Sequence, residues 1–522
     1  MDRTFRRLWG GLFLALTVLL TFVVYATRPS QLPLTAPVTL VASGSSTIDP
    51  IEVNGPIFVD WPKPDLALVF TGELDGYMEP CGCSGLENQK GGLKRRMAMI
   101  EGLQKQGWPV ALFDVGGLTK RLGPQAEIKF RFVAAGLVQM GYSAIGLGPQ
   151  ELQLNADAVA FALANLDPEK NPFVAANVGI YGFDSGMTAD YRVIEAGGKR
   201  IGVTSVLGAK HCEEIAKSAD IEVKEPGQAL VEVSPKLNAE NCDLQVLLVH
   251  GTPQEARELA VQFPQFQYVA TAGGAEEPPA LPGKIDGSTA MLIDAGHKGM
   301  YAVVVGLYFN DAQTPMRYQR VPLDVRFSDA PEMQQKMVDY QEELKLLTFA
   351  GLGLKGTPHP DGEFIGSAAC ADCHTEATEV FEETPHAHAL DTLRNLDPPR
   401  HFDPECVSCH VVGWNPQKYY PYSSGYFGVE ETPQMFHQGC ENCHGPGAAH
   451  VAAESGDVDA TEEQIDKLRE DMRLRLVDNE GNMEGQVLGP VVKNCMECHD
   501  LDNSPDFDFQ EYWPEVEHYG VD

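Results

Sequence analysis

Cys-x-x-Cys-His occurs four times in the last third of the chain, as Cys370/Cys373/His374, Cys406/Cys409/His410, Cys440/Cys443/His444 and Cys495/Cys498/His499. Two thiols at this spacing, followed at once by an imidazole, suit covalent attachment of a c-type haem: the thiols form thioethers with its vinyl groups and the histidine takes the iron. Structural zinc also uses cysteine pairs, but it does not require a histidine directly after the second cysteine. Here one follows in all four copies. The chemistry implied is one-electron transfer through four c-type haems, with the eight cysteines as cofactor-binding residues and His374, His410, His444 and His499 as proximal iron ligands.

The second axial position decides whether a haem only passes electrons or also binds a small ligand. Seven histidines from His359 onward lie outside the motifs: His359, His386, His388, His401, His437, His450 and His518. Four suffice if every iron carries two imidazoles, so at least three serve elsewhere.

Covalent haem is attached outside the cytoplasm, and the N-terminus supplies an export signal. Arg3, Arg6 and Arg7 precede an apolar run from Leu8 to Ala26. Residues 1–27 are therefore read as a signal anchor or signal peptide, with the rest of the chain extracytoplasmic, on the periplasmic side. The run is just long enough to span a bilayer, which takes roughly 20 apolar residues, so the anchor is favoured. Residues 28–63, rich in Pro, Ser and Thr, form a linker.

Short apolar runs bounded by turn residues follow. Strands are predicted at Asp65–Thr71, Val110–Val115, Ser143–Leu147, Phe173–Asn177, Arg200–Leu207, Leu244–His250, Tyr268–Ala272, Ala290–Asp294, Tyr301–Tyr308 and Arg317–Val325, and helices at Leu93–Lys105, Ile128–Met140 and Pro253–Gln262. This alternation predicts a layered α/β domain over 64–328. Gly197-Gly198 reads as a hairpin turn. Pro331–Leu347 reads as a polar helix within a connector over 329–358. The haem domain occupies 359–522, with one charged helical insertion at Glu454–Leu476. Few residues per haem remain there for an apolar core, so the macrocycles themselves must form it.

The net charge is −35, and from His359 to Asp522 there are 34 Asp and Glu against 8 Lys and Arg. This surface repels nucleic acid and favours a basic redox partner protein, although solubility alone also explains it.

Four stretches of the haem region carry a resemblance: FIGSAACADCHTEATEVFEETPHAHA, CVSCHVVGW, GCENCHGPGAAHV and FDFQEYWPEVEH. They resemble the tetrahaem cytochrome c family of ammonia-oxidising electron chains. Carried over by motif, that resemblance implies His386 and His450 as distal iron ligands; His518 is a third candidate by position. For the fourth, His401 and His388 are the candidates, and the family itself can leave one haem five-coordinate.

The first domain has its own resemblance. LVFTGELDGYMEP, GGLKRR, LFDVGG, GYSAIGLGPQEL, LLVHG, VATAGG and IDAGHKGMYAVVVGLYF follow the order of the calcineurin-like 5'-nucleotidase family of metallophosphoesterases. The fold implied is an α/β sandwich of two sheets flanked by helices, followed by a mostly helical, loop-rich tetrahaem cytochrome c domain. The metallophosphoesterase chemistry needs two metals that activate water, and here the ligands are mostly replaced. Glu73-Leu74-Asp75 stands for Asp-x-His, Gly117 for the bridging aspartate, Gly148-Pro149-Gln150-Glu151 for Gly-Asn-His-Glu, and Gly274-Ala275-Glu276-Glu277 for Gly-His-x-His. A single divalent metal near Glu73, Asp75 and His250, with Asp114 nearby, remains an expectation. The other reading of His250 is a structural remnant.

Cys81 and Cys83 stand where an active-site loop would be. Two cysteines one residue apart can form a strained disulfide, a candidate redox pair, because strain raises the reduction potential. They can also hold a soft metal with His250, or pair with Cys212 and Cys242, since four non-haem cysteines permit three connectivities. Three functions follow: an electron-transfer cytochrome, an oxidoreductase acting on a small nitrogen compound at one five-coordinate haem, and a divergent phosphoesterase with an appended cytochrome.

Overall fold

The computed structural model describes residues 48–82, 85–166, 171–327, 330–474 and 489–518, and residues 48–522 form one compact unit. The apolar segment within 1–27, most of the linker, and Cys83 lie outside the described residues. Among the described residues no helix is long and apolar enough to cross a membrane.

Period-two alternation in runs that are apolar throughout explains the layering. Strand β1 (Leu66–Thr71) is buried along its whole length. Leu66, Leu68 and Phe70 point into a core shared with Ile201, Val203, Val246 and Leu248 of the opposite sheet. Ala67 and Val69 point the other way, towards Leu93, Ile100, Phe130 and Leu137 of helices α1 (Leu93–Lys105) and α2 (Pro124–Met140). The result is two sheets face to face with helices outside.

The first sheet joins β1 to β2 (Val110–Asp114) in parallel and then to β3 (Ala144–Ile145). The second sheet is built on β4 (Arg192–Ala196), β5 (Lys199–Leu207), β6 (Leu244–His250), β7 (Tyr268–Thr271), β8 (Gly283–Lys284) and β9 (Met291–Asp294), in the order β8-β9-β7-β6-β5-β4. The chain then returns to the first sheet with β10 (Tyr301–Leu307) and β11 (Met316–Pro322), giving the order β11-β10-β1-β2-β3. Gly197 and Gly198 link β4 to β5 with φ of 57° and 70°, the two-residue hairpin that positive φ requires.

Several elements differ from expectation. Phe173–Asn177 makes only isolated bridges, and the strand follows at Val178–Ile180, paired with Ile221–Val223. A helix at Pro226–Ala239 runs through Pro235 and buries Leu230, Val233 and Leu237. Helix α3 (Pro331–Gly351) breaks at Thr348, where φ is 57°, and is more than a polar connector. Its Met333, Met337, Tyr340 and Leu344 face belongs to the core beside α1 and α2.

The haem region consists of short helices around a small core of Phe364, Leu390, Val407, Val412, Trp414 and Tyr426. The insertion expected as one helix at Glu454–Leu476 is helical over Glu462–Asp471, and a separate helix, Ala448–Glu454, ends where that span begins. Gly456 at φ 73° interrupts them, and Thr461 caps the second by accepting from Gln464 N.

Candidate functional site: paired imidazoles at the cysteine motifs

Each motif is wound into a helical turn. His374 N and His499 N donate to Cys370 O and Cys495 O at 2.9 Å, His410 N donates to Val407 O at 2.8 Å, and Cys440–His444 is itself helical. A turn of helix puts residues i, i+3 and i+4 on one face, so both thiols and the imidazole face the same ligand.

Three motif histidines meet a second imidazole from far along the chain. The ring centroids of His374 and His450 are 6.4 Å apart with planes 24° from parallel. Those of His386 and His499 are 6.0 Å apart, and those of His444 and His518 are 5.7 Å apart. Metal–imidazole nitrogen bonds are about 2 Å long, and a centroid lies roughly 1 Å behind its nitrogen, so two imidazoles on opposite sides of one metal have centroids about 6 Å apart. The donor set therefore fits a haem iron held between each pair.

Three of the six paired rings have a partner on the remaining nitrogen, whereas His450 Nδ1 is buried without one. His444 Nδ1 lies 2.7 Å from Met472 O, His499 Nδ1 3.0 Å from Ser504 Oγ, and His518 Nδ1 3.0 Å from Val516 O. A partner on Nδ1 fixes the tautomer and leaves Nε2 for a metal, the usual outer-shell arrangement. A cavity of ≈ 1090 Å³, lined by residues of the last three motifs with His386 and His450, separates these groups.

Cys373 and Cys443 are both exposed, and neither Cys373 nor Cys370 lines the cavity. For Cys373 the cause is local: it sits between Asp372 and the helix Thr375–Glu382, which buries none of its residues.

His410 differs in another way. Its Nδ1 bonds Ala389 O at 2.6 Å, yet among the described residues no second imidazole packs against its ring. The structure does not bring His401 or His388 to it: the His401 ring packs on Phe402 at 3.9 Å, and His388 faces His437 at 6.2 Å. His359 packs on Tyr422.

The thiols define neighbours among the motifs. Cys370 contacts Cys440, Cys443 lies near Cys495, and Cys498 contacts Cys409. The α/β body grips two of the motifs directly. Asp502, three residues beyond His499, accepts from Tyr77 Oη at 2.6 Å and Lys298 Nζ at 2.7 Å. Glu405, one residue before Cys406, is held by Lys129 at 2.5 Å and Arg121 at 2.9 Å.

At the phosphoesterase-like position, the divalent-metal expectation for Glu73, Asp75 and His250 is not met. Among the described residues no group of three or more His, Cys, Asp or Glu is arranged to hold a metal. Glu73 is engaged by His297 Nδ1, and His297 Nε2 bonds Gly274 O at 3.1 Å. The hydrogen bond to Glu73 pushes His297 up to about 9. His250 is buried, its Nδ1 lies 3.2 Å from Val115 O, and burial pulls it down to about 4, so it is neutral. Burial, then the charge of Glu73, pushes Asp75 up to about 6.

The replaced ligands have lost their space too. A Cβ on Gly117, where the bridging aspartate would stand, would lie 3.0 Å from Glu73 Cα and 3.2 Å from His250 Cε1. Asp114 is not free for a cation: it is fully buried against Arg96 at 3.2 Å and accepts from Thr71 Oγ1 at 2.6 Å. Glu151 accepts from Thr119 N and Gly148 N, closing the loop where the family's amide ligand would stand. His297 is the residue that sequence reasoning missed; its signal was a histidine three residues past the end of β9, at the edge of the replaced site.

Cys81 is disulfide-bonded and buried against Met300 and Tyr301. Cys212 and Cys242 are free thiols, so neither bridges to Cys81.

Residues 369–445 match the family described as "Cytochrome c554 and c-prime". Cytochrome c-554 of Nitrosomonas europaea is 34% identical over 100 residues, which is 17% of this chain. The chain spans only 40% of that relative's length. Among solved structures, a 5'-nucleotidase precursor from Thermus thermophilus superposes with a TM-score of 0.47 at 18% identity, over 63% of this chain and 67% of that one. The calcineurin-like phosphoesterase YfkN from Bacillus subtilis gives 0.42 at 17% identity, over 53% of this chain and 97% of that one. With its repeated motifs and paired imidazoles, the C-terminal part of the chain is similar to the multihaem electron carriers of the cytochrome c554 and c-prime family.

Proposed function

We propose that this protein is an extracytoplasmic c-type cytochrome, tethered to a membrane by its N-terminal segment, that transfers electrons through four covalently bound haems to a basic partner protein. The observation that carries this reading is the three imidazole pairs with ring centroids 5.7 to 6.4 Å apart, each joining a motif histidine to a distant one. When bound, each haem supplies a one-electron Fe(III)/Fe(II) couple. The thiol contacts support a file of four sites in the order first, third, fourth, second. The first motif, whose Cys370 and Cys373 lie outside the cavity lined by the other three, suits exchange with a partner. Paired imidazoles leave an iron no vacant position and favour transfer with little rearrangement.

The second motif supports a second reading, a site for a small nitrogen compound such as nitric oxide, because His410 has no imidazole opposite it among the described residues. The packed glycine at 117, in place of the bridging aspartate, weighs against a phosphoesterase. Intact mass of the protein purified from the extracytoplasmic fraction tests the main reading. Four haems per chain are expected. Fewer than four, or metal-stimulated phosphoester hydrolysis by the same preparation, would overturn it.

A further inference from the structure

The α/β body has lost the ligands of a phosphoesterase, yet it meets the second cysteine motif through some of the most enclosed polar contacts between the two parts of the chain. We propose that this body is a positioning and electrostatic clamp for the site of Cys406, Cys409 and His410, and that Lys129 sets how readily that site takes an electron. The inference rests on the reading that this motif carries a high-spin haem with no second imidazole.

Three side chains at four-residue spacing do the holding. Arg121 precedes α2, and Gln125 and Lys129 lie one turn apart on it. Lys129 Nζ is 2.5 Å from Glu405 Oε2, with side-chain exposures of only 11% and 22%, so solvent screens this pair weakly. Arg121 Nη1 is 2.9 Å from Glu405 Oε1, and its guanidinium lies 3.6 Å from the Tyr419 ring centroid. Gln125 Nε2 donates to Asp403 Oδ1 at 2.7 Å, and Gln341 Nε2 of α3 donates to Asp403 Oδ2 at 2.8 Å. Asp403 in turn accepts from Glu405 N at 3.0 Å and caps the short turn Pro404–Val407 that delivers Cys406.

The leader Asp403-Pro404-Glu405 is thus fixed from outside the haem region, next to the one motif whose histidine lacks an imidazole partner among the described residues. The buried carboxylate inside the third motif, Glu441, is instead satisfied from within the haem region, by Ile365 N, Gly366 N and Gly447 N.

Charge fixes the sign of the effect. An oxidised iron carries one more positive charge than a reduced one, so a nearby fixed cation favours reduction and a nearby fixed anion opposes it. Burial raises the Glu405 pKa, but Lys129 and then Arg121 outweigh it, and the carboxylate is held ionised beside the motif.

The test is a spectroelectrochemical titration of the full-length holoprotein that resolves high-spin and low-spin components. Lys129→Met should move the high-spin midpoint to more negative potential and Glu405→Gln to more positive potential. The double variant should return towards wild type, Lys129→Arg should restore the wild-type midpoint, and the low-spin components should stay in place. Arg131→Gln, on the same helix as Lys129 and paired with Glu343 of α3, controls for general charge loss. An unmoved high-spin midpoint in folded Lys129→Met, or equal shifts in all components, would overturn the proposal. If Lys129→Met does not fold, Arg121→Gln carries the same prediction and the same refutation. Failure of the underlying reading shows separately, as a wild-type protein with no high-spin component.

Discussion

The imidazole of His374 lies 6.4 Å from that of His450, 76 positions along the chain, with the two rings nearly parallel. One histidine follows a cysteine pair and the other sits on the helix Ala448–Glu454. Two rings at this distance and attitude leave room for a single metal ion between them.

That arrangement predicts separable losses. His386→Ala, His450→Ala and His518→Ala should each convert one low-spin component to high spin, while His401→Ala leaves the spectrum unchanged, because the His401 ring packs on Phe402 instead of a motif histidine. Electron paramagnetic resonance of each oxidised variant checks this. Loss of a low-spin signal in His401→Ala would count against the assignment.

The Glu73–His297 pair predicts a pH dependence. His297 is raised to about 9 by its hydrogen bond to Glu73, from an unfolded value of about 6.5. A raised folded pKa contributes stability that is fully present below the unfolded value and is lost as pH rises through the folded one. Thermal denaturation from pH 6 to 10 should show Tm falling between about 6.5 and 9, with a shallower fall in His297→Gln. Identical profiles would contradict the pairing.

Arg96 and Asp114 predict a stability defect without a redox defect. Both side chains have no solvent exposure, and they meet at 3.2 Å between α1 and the end of β2. Removing one partner of such a pair strands a buried charge and costs about 3–5 kcal/mol. Urea denaturation of Arg96→Met should report a loss of that order while the haem spectrum of the folded protein is unchanged. A loss below about 1 kcal/mol, the range of exposed pairs, would refute it.

Much of the α/β body was legible because its strands are apolar on both faces and bounded by turn residues. Leu244–His250, Leu93–Lys105 and Pro253–Gln262 have the predicted bounds. The helix Pro226–Ala239 was not legible, since Pro235 inside it reads as a break. Phe173 and Val174 are buried and apolar but serve as single bridges. In the haem region, the motifs declare the proximal histidines by spacing alone. Spacing does not tell which thiols stay exposed, so the exposure of Cys373 and Cys443 was not legible either. Nothing local says which distant imidazole meets which motif: the His374–His450 and His444–His518 pairs close only when the intervening short helices pack. His297 escaped notice for the same reason, since its partner Glu73 is brought to it by the pairing of β1 with β10.

Spin-state quantification of the fully oxidised holoprotein, with and without nitric oxide, tests the central claim most directly. The account predicts three low-spin components with two imidazoles each and one high-spin component that takes up one nitric oxide per chain. A spectrum with no bis-imidazole low-spin component would contradict it.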